Sequence, residues 1–248
     1  MKTYLVLVLF LLTGCVAQSN STKSFYDDTR YKMPPISEDD FPKQDFYYIR
    51  TRIVIETAQI QWPETNEKIT LKAVTKKKVE DSLLLAEKIY KDVGLKFHVD
   101  QYVFMNFQPK INHFWIDATR YSDSLSFYFL LPRADVPFNG LGSGPWGACP
   151  WGIILFATAN KWTLAHEVGH YFGLLHPFGK IGKEGDCVKD TPVHTSMIGG
   201  PNINNIMMYS TFTNKKLPFI TAGQIERMQR FLRTKRKLTI LKEVPKRF

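Results

Sequence analysis

The segment "TLAHEVGHYFGLLHPF", residues 163–178, limits what this chain can fold into more than any other stretch. It carries three of the six histidines in the sequence, with Glu167 and Gly173 at fixed places among them. His166 and His170 lie four residues apart, so on a helix they share one face a turn apart and can point at a common ion. A third ligand cannot come from the next turn without poor geometry. Glycine at 173 resolves this, because it readily takes a left-handed conformation that ends the helix and turns the chain. His176 then returns as the third ligand. The fold must therefore supply a helix, a break at Gly173, and open space on the histidine side.

Three neutral imidazoles suit zinc best and leave a fourth position for water or substrate. Structural zinc sites are usually closed by four protein ligands, so three with an adjacent glutamate point to catalysis. Glu167 sits beside the first ligand and can reach a water on the ion as a general base. The spacing thus assigns His166, His170 and His176 to one catalytic zinc, Glu167 to proton transfer and Gly173 to the turn. The other histidines, His98, His113 and His194, lack ligand partners at useful spacing and read as non-catalytic.

Around this motif, strands alternate with helices. Phe46–Glu56, "FYYIRTRIVIE", alternates aromatic and β-branched residues as a strand does. Thr75 is the expected N-cap of a helix with apolar residues at Val79, Leu83, Leu84, Ile89 and Val93, stopped by Gly94. Strands are expected over Leu95–Phe104 and Leu125–Leu131. Ile153–Ala157 suits a short strand or the lead-in to the motif helix. The stretch "FNGLGSGPWGACPWG" between them is punctuated by glycine and proline and reads as irregular. Thr221 and Gln224 form a capping box that opens a last helix through Ile225, Met228 and Leu232. Such an order fits an α/β (α+β) sandwich around a mixed sheet.

At its start the chain has Lys2, an apolar run Leu5–Leu12, and then Thr13-Gly14-Cys15, which reads as an export signal too short to span a bilayer permanently. The ending Leu12-Thr13-Gly14-Cys15 resembles a bacterial lipobox. That resemblance makes 1–14 a lipoprotein signal peptide and Cys15 the lipidated anchor to a membrane, periplasmic or cell-surface facing; the alternative is a plain secretory signal cut near Ala17. Residues 15–44, polar and broken by Pro34, Pro35 and Pro42, read as a tether, and 45–248 as the catalytic domain. Two further cysteines, Cys149 and Cys187, either pair as a disulfide in an exported protein or stay as thiols. The net charge of +10 is concentrated in Lys76-Lys77-Lys78 and in the stretch from Arg227 to Arg247. With no base-reading motif, no nucleic-acid partner is expected; the charge reads first as solvated helix faces and otherwise as attraction to anionic lipid or an acidic substrate.

The pattern His-Glu-x-x-His-x-x-Gly-x-x-His is similar to the signature of the metzincin metalloproteases. Within them the chain resembles the pappalysins, on "LAHEVGHYFGLLHPF", "GDCVKDTP" (Gly185–Pro192), "NIMMYS" and "FITAGQIERM" (Phe219–Met228), in that order. On residues alone Met207 and Met208 read as core; the resemblance makes Met207 the methionine of a Met-turn beneath the zinc. Met208 stands where the family commonly has an acidic residue. The resemblance implies a mixed twisted β-sheet with a backing helix, an active-site helix, and a C-terminal subdomain with the Met-turn and terminal helix. It also implies hydrolysis of peptide bonds in extracytoplasmic proteins or peptides. Tyr209 would ligate zinc at rest and swing to stabilise the oxyanion, or else simply pack under the site. Trp146 and Trp151 would line a subsite or pack in the core, and the glycine-rich stretch could present an edge to an extended peptide. Asp186 and Asp190 bind calcium or, on the residues, more readily cap a loop. The competing function is a surface lipoprotein that keeps the metal and captures zinc or peptide without turnover; Glu167 argues against it.

Overall fold

The alternation that marks Phe46–Glu56 as a strand continues further than the apolar residues do. In a computed structural model describing residues 42–61, 66–106, 123–133, 139–142, 152–178, 185–193, 203–209, 216–235 and 239–241, strand β1 runs Tyr47–Gln61. Its first two-thirds is buried. The exposed end pairs antiparallel with β2, Lys68–Lys72, a strand that sequence patterning did not bring out. β2 is exposed along its whole length, so it has no buried face to write a pattern into its residues.

Helix α1, Lys76–Ile89, starts where expected: the Thr75 hydroxyl accepts from the Lys78 N–H at 3.2 Å. Its buried stripe is Val79, Leu83, Ala86 and Ile89. Leu84, read as part of that stripe, is instead 66% exposed. One residue beyond Leu83 is a rotation of about 100°, which carries it off the core face. The chain then turns at Gly94 into β3, Leu95–Met105, parallel to β1. β4, Leu125–Leu130, lies parallel on the other side of β1, and β6, Gly152–Phe156, parallel to β4. Every residue of β4 is buried, the mark of a central parallel strand covered on both faces.

The glycine-rich stretch departs from expectation in one place. Gly140–Gly142 is not irregular but forms strand β5, antiparallel to β6 with Leu141 opposite Ile154. Backbone pairing needs no side chains, and here their absence is required, as the site makes clear below. The sheet order is β2-β1-β4-β6-β5, with β3 also on β1. The resulting mixed sheet is the architecture expected.

Helix α2, Thr163–Tyr171, carries the histidine motif and packs against α1, β5 and β6. Helix α3, Ala222–Lys235, is the last helix among the described residues, with Met228 and Leu232 fully buried. One continuous core joins Ile53 and Ile55 of β1, Phe127 of β4, Leu83 of α1, Val168 of α2 and Met228 of α3. Tyr90, just past α1, is buried in that core and donates to the Ala165 carbonyl at 2.7 Å, tying α1 to α2. Among the described residues no helix is long and apolar enough to cross a membrane. Cys15, Cys149, Trp146, Trp151, His113 and His194 lie outside the described residues, as do the signal and almost all of the tether.

Candidate metal centre

The turn at Gly173 builds the centre. Its φ is +93°, and the helix ends in a Schellman arrangement: Gly173 N–H donates to the His170 carbonyl at 3.0 Å and Leu174 N–H to the Gly169 carbonyl at 2.8 Å. That turn brings the Leu174 carbonyl back over the last helical turn, where it accepts from His170 Nδ1 at 2.9 Å. His166 Nδ1 donates to the Ile206 carbonyl at 2.8 Å. Carbonyls only accept, so both rings carry their proton on Nδ1 and present a bare Nε2.

The three Nε2 atoms of His166, His170 and His176 face one another at 3.0, 3.1 and 3.2 Å. Lone pairs at such distances repel unless a cation sits among them. A tetrahedral ion with Zn–N near 2.05 Å spaces its nitrogens about 3.3 Å apart, so the triangle fits one. Burial holds the rings neutral as ligands must be. It pushes His166 down to about 3 and His170 to about 4, and His176 well below the usual imidazole range. Among the described residues these three are also the group of donor side chains close enough together to hold a metal ion.

Glu167, next to His166 on α2, reaches β5 with its carboxylate. Its Oε2 accepts from the Gly142 backbone N–H. Burial raises its pKa to about 7, with the Gly142 bond pulling back. The approach is so close that a Cβ on Gly142 would lie 2.6 Å from the Glu167 carbonyl oxygen and 2.9 Å from Oε2. This is why β5 reads Gly-Leu-Gly: only glycine lets a strand run this near the helix. Tyr209 lies beside the histidines, its ring centroid 4.9 Å from His176 and 5.7 Å from His166. Partial burial and the negative charge of Glu167 raise its pKa, which puts the carboxylate within electrostatic reach of the phenol.

Met207 is fully buried beneath α2, and a side chain on Gly169 would run into its sulfur. The turn that holds it is fixed by Asn205, whose Oδ1 accepts the Met207 N–H at 3.0 Å. Asn205 Nδ2 in turn donates to Gln224 Oε1 at 2.8 Å, and Gln224 Nε2 donates to Asp186 Oδ2 at 2.7 Å. Gln224 Oε1 also takes the Thr221 N–H at 3.0 Å, while the Thr221 hydroxyl accepts the Gln224 N–H at 3.2 Å. The capping box is therefore present in both directions, and its glutamine reaches the Met-turn as well. Asp186 caps the Val188 N–H, and Asp190 accepts from the Thr221 hydroxyl and the Gly223 N–H at 2.8 and 2.9 Å. Both aspartates are thus engaged as caps.

Sequence reasoning brought out the three histidines, Glu167, Gly173, Met207 and Tyr209, and the structure gathers the histidines and Tyr209 in one place. It did not bring out the carbonyls of Leu174 and Ile206, which no side chain announces, nor Gly142 and Asn205. Phe178 lay inside the quoted motif with no role given. His98 pairs with Asp100 at 3.1 Å on β3. Cys187 is exposed at φ 57°, and its proposed partner lies outside the described residues.

A triangle of neutral imidazoles on a helix broken by glycine, above a methionine turn, resembles the metal site of the metzincin metalloproteases. Residues 154–233 match the Peptidase_M43 family model, described as Pregnancy-associated plasma protein-A, and this segment of the chain is pappalysin-like. The match takes in all three histidines, Tyr209 and most of α3. An extracellular metalloprotease of Arthroderma gypseum is 37% identical over 84 residues, covering 27% of this chain and 28% of that protein. One of Pyricularia oryzae is 46% identical over 55 residues, covering 22% and 19%. The chain thus spans less than a third of the length of these relatives. The crystal structure of metalloproteinase-II from Bacteroides fragilis aligns with 81% of this chain and 58% of its own, at 15% identity and a TM-score of 0.43. The metal this family implies is zinc, and the donor set fits it.

Proposed function

We propose that the chain is an exported zinc endopeptidase in which His166, His170 and His176 hold the ion and Glu167 is the general base. The observation that carries the reading is the convergence of three Nε2 atoms at 3.0–3.2 Å, two of them left bare by the Nδ1–carbonyl bonds. Zinc, when bound there, supplies Lewis acidity toward the scissile carbonyl and the attacking water. Glu167 takes a proton from that water and delivers it to the leaving amine. A carboxyl raised to about 7 suits both halves of that task near neutral pH. The Gly142 N–H holds the carboxylate in one orientation while it does so. Tyr209 hydrogen-bonds the oxyanion, its raised pKa keeping the phenol a donor. β5 offers its backbone to an extended peptide close to Glu167.

The relatives named extracellular metalloproteases support export. We extend this to a signal at 1–14, lipidation of Cys15, a tether over 15–44, a catalytic domain over 45–248 and a Cys149–Cys187 disulfide. The test is zinc content and peptide-library cleavage by protein starting after Cys15, with Glu167→Ala alongside. One zinc in both forms and cleavage by the parent alone is expected. Full zinc with every peptide intact would favour the non-catalytic binder, and a parent without zinc would overturn the metal site.

A further inference from the structure

Two of the three histidines are oriented by backbone carbonyls; the third is not. Among the described residues no hydrogen bond reaches His176 Nδ1, and the polar contacts of this ring are those of Nε2 with its two fellow ligands. It also stands on the loop after Gly173 rather than on α2, so no helix fixes its direction. Rotation about the bond joining Cβ to an imidazole ring is broad and soft. Something else must set the plane of this ring.

Phe178 lies against it. The two rings stack with centroids 4.6 Å apart and planes 9° from parallel. The same phenyl ring touches Tyr209 at 5.2 Å and 55°. Between them in sequence Pro177 is buried and restrains the chain on both sides: its own φ is fixed, and a proline steers the residue before it, here His176, away from helical backbone. In "HPF" the proline thus sets the backbone of the third ligand and the phenylalanine sets its ring. An imidazole that donates to a cation becomes partly positive, and the negative face of the phenyl ring favours that charge.

We propose that Phe178 is the positioning residue of the third ligand, replacing by stacking the carbonyl that orients each of the other two. The proposal rests on the reading of His166, His170 and His176 as ligands. It acts through His176, and it limits where the Tyr209 ring can go.

The experiment compares the parent with Phe178→Tyr, Phe178→Leu and Phe178→Ala, measuring zinc affinity against a chromophoric chelator and the visible spectrum of the cobalt-loaded forms. Loss of a group that orients a ligand typically weakens metal binding 10–100-fold, so Ala and Leu are expected to lose about tenfold while Tyr stays within about twofold. The cobalt bands shift in Ala and Leu but not in Tyr, a change that lowered stability alone does not produce. Affinity in Leu equal to that in Tyr would overturn the proposal, since volume alone would then suffice; so would parental affinity in Ala. Should Ala fail to fold, the Leu and Tyr pair decides alone. A parent that binds no zinc would overturn the ligand reading itself, before any variant is compared.

Discussion

Glu167 is held by a backbone amide, and this gives two substitutions different consequences. In Glu167→Gln the new side chain keeps an oxygen that can accept the Gly142 N–H, so the contact and the fold survive. What is lost is the base. General-base removal costs about 10²–10⁴ in rate, so kcat should fall by that much with zinc content unchanged, as metal analysis beside peptide kinetics will read. Gly142→Ala acts from the other side. Its methyl would sit 2.6 Å from the Glu167 carbonyl, where nothing flexible can yield, so β5 and α2 must part. Overpacking of this kind costs about 1–3 kcal/mol. Activity should drop with the loss of the Gly142 contact while zinc affinity holds, because the carbonyls that orient His166 and His170, those of Ile206 and Leu174, lie off β5. Equal loss of zinc and activity would show that the displacement reaches the metal.

At the scale of elements, what was legible in the sequence was what is local. The Thr75 cap, the helix stop at Gly173 and the Thr221–Gln224 box are each written within a few residues, and each is present. Strands β1 and β4 carry a buried face and β3 a half-buried one, so their residues alternate or run apolar. β2 and β5 carry no such record. β5 is dictated by how near α2 lies, a fact set by residues about 25 positions on. Leu84 looked buried because apolarity was counted without its angular place. The second task of Gln224 was invisible for the same reason: its partners Asn205 and Asp186 lie 19 and 38 positions away.

That task makes Gln224 the joint between α3, the Asp186 loop and the Met-turn. Gln224→Ala leaves the buried Asn205 Nδ2 and Asp186 Oδ2, and the partly buried Thr221 N–H, without this partner. Unsatisfied buried groups cost about 1–3 kcal/mol each, so a total on the order of 3 kcal/mol is expected in denaturant unfolding. Gln224→Glu retains both acceptor bonds and loses only the donor to Asp186, setting two carboxylates together. Its deficit should shrink as the pH is lowered and one of them takes a proton. A deficit independent of pH would mean that the Asp186 contact does not form.

For the whole molecule, the same burial that readies the site for metal makes the metal-free protein sensitive to acid. The three histidines ordinarily protonate near 6.5, but in the fold they do so only around 3, around 4 and well below 6.5. Below pH 6.5 the unfolded chain therefore binds protons that the folded chain refuses, and stability falls as pH falls. Two buried carboxyls work against this. Glu167 is raised from 4.5 to about 7 and Asp186 from 3.8 to about 6, chiefly by burial, so between those values the folded chain holds protons that the unfolded one releases. Near pH 7 the two sides almost cancel. By pH 5.5 nearly three histidine protons outweigh about two carboxyl protons, leaving a net uptake on unfolding of roughly one proton. At about 1.4 kcal/mol per pH unit for each proton, the chelator-treated protein should lose on the order of 2 kcal/mol between pH 6.5 and 4.5. The metal-free Glu167→Gln variant has lost one of the two opposing carboxyls, so its stability should fall more steeply over that range and begin falling nearer pH 7. Denaturant unfolding in a chelator across that range measures both slopes. A parent whose stability stays level down to pH 4.5 would mean that the histidines are not held neutral in the fold, and parallel slopes would mean that Glu167 titrates at an ordinary value.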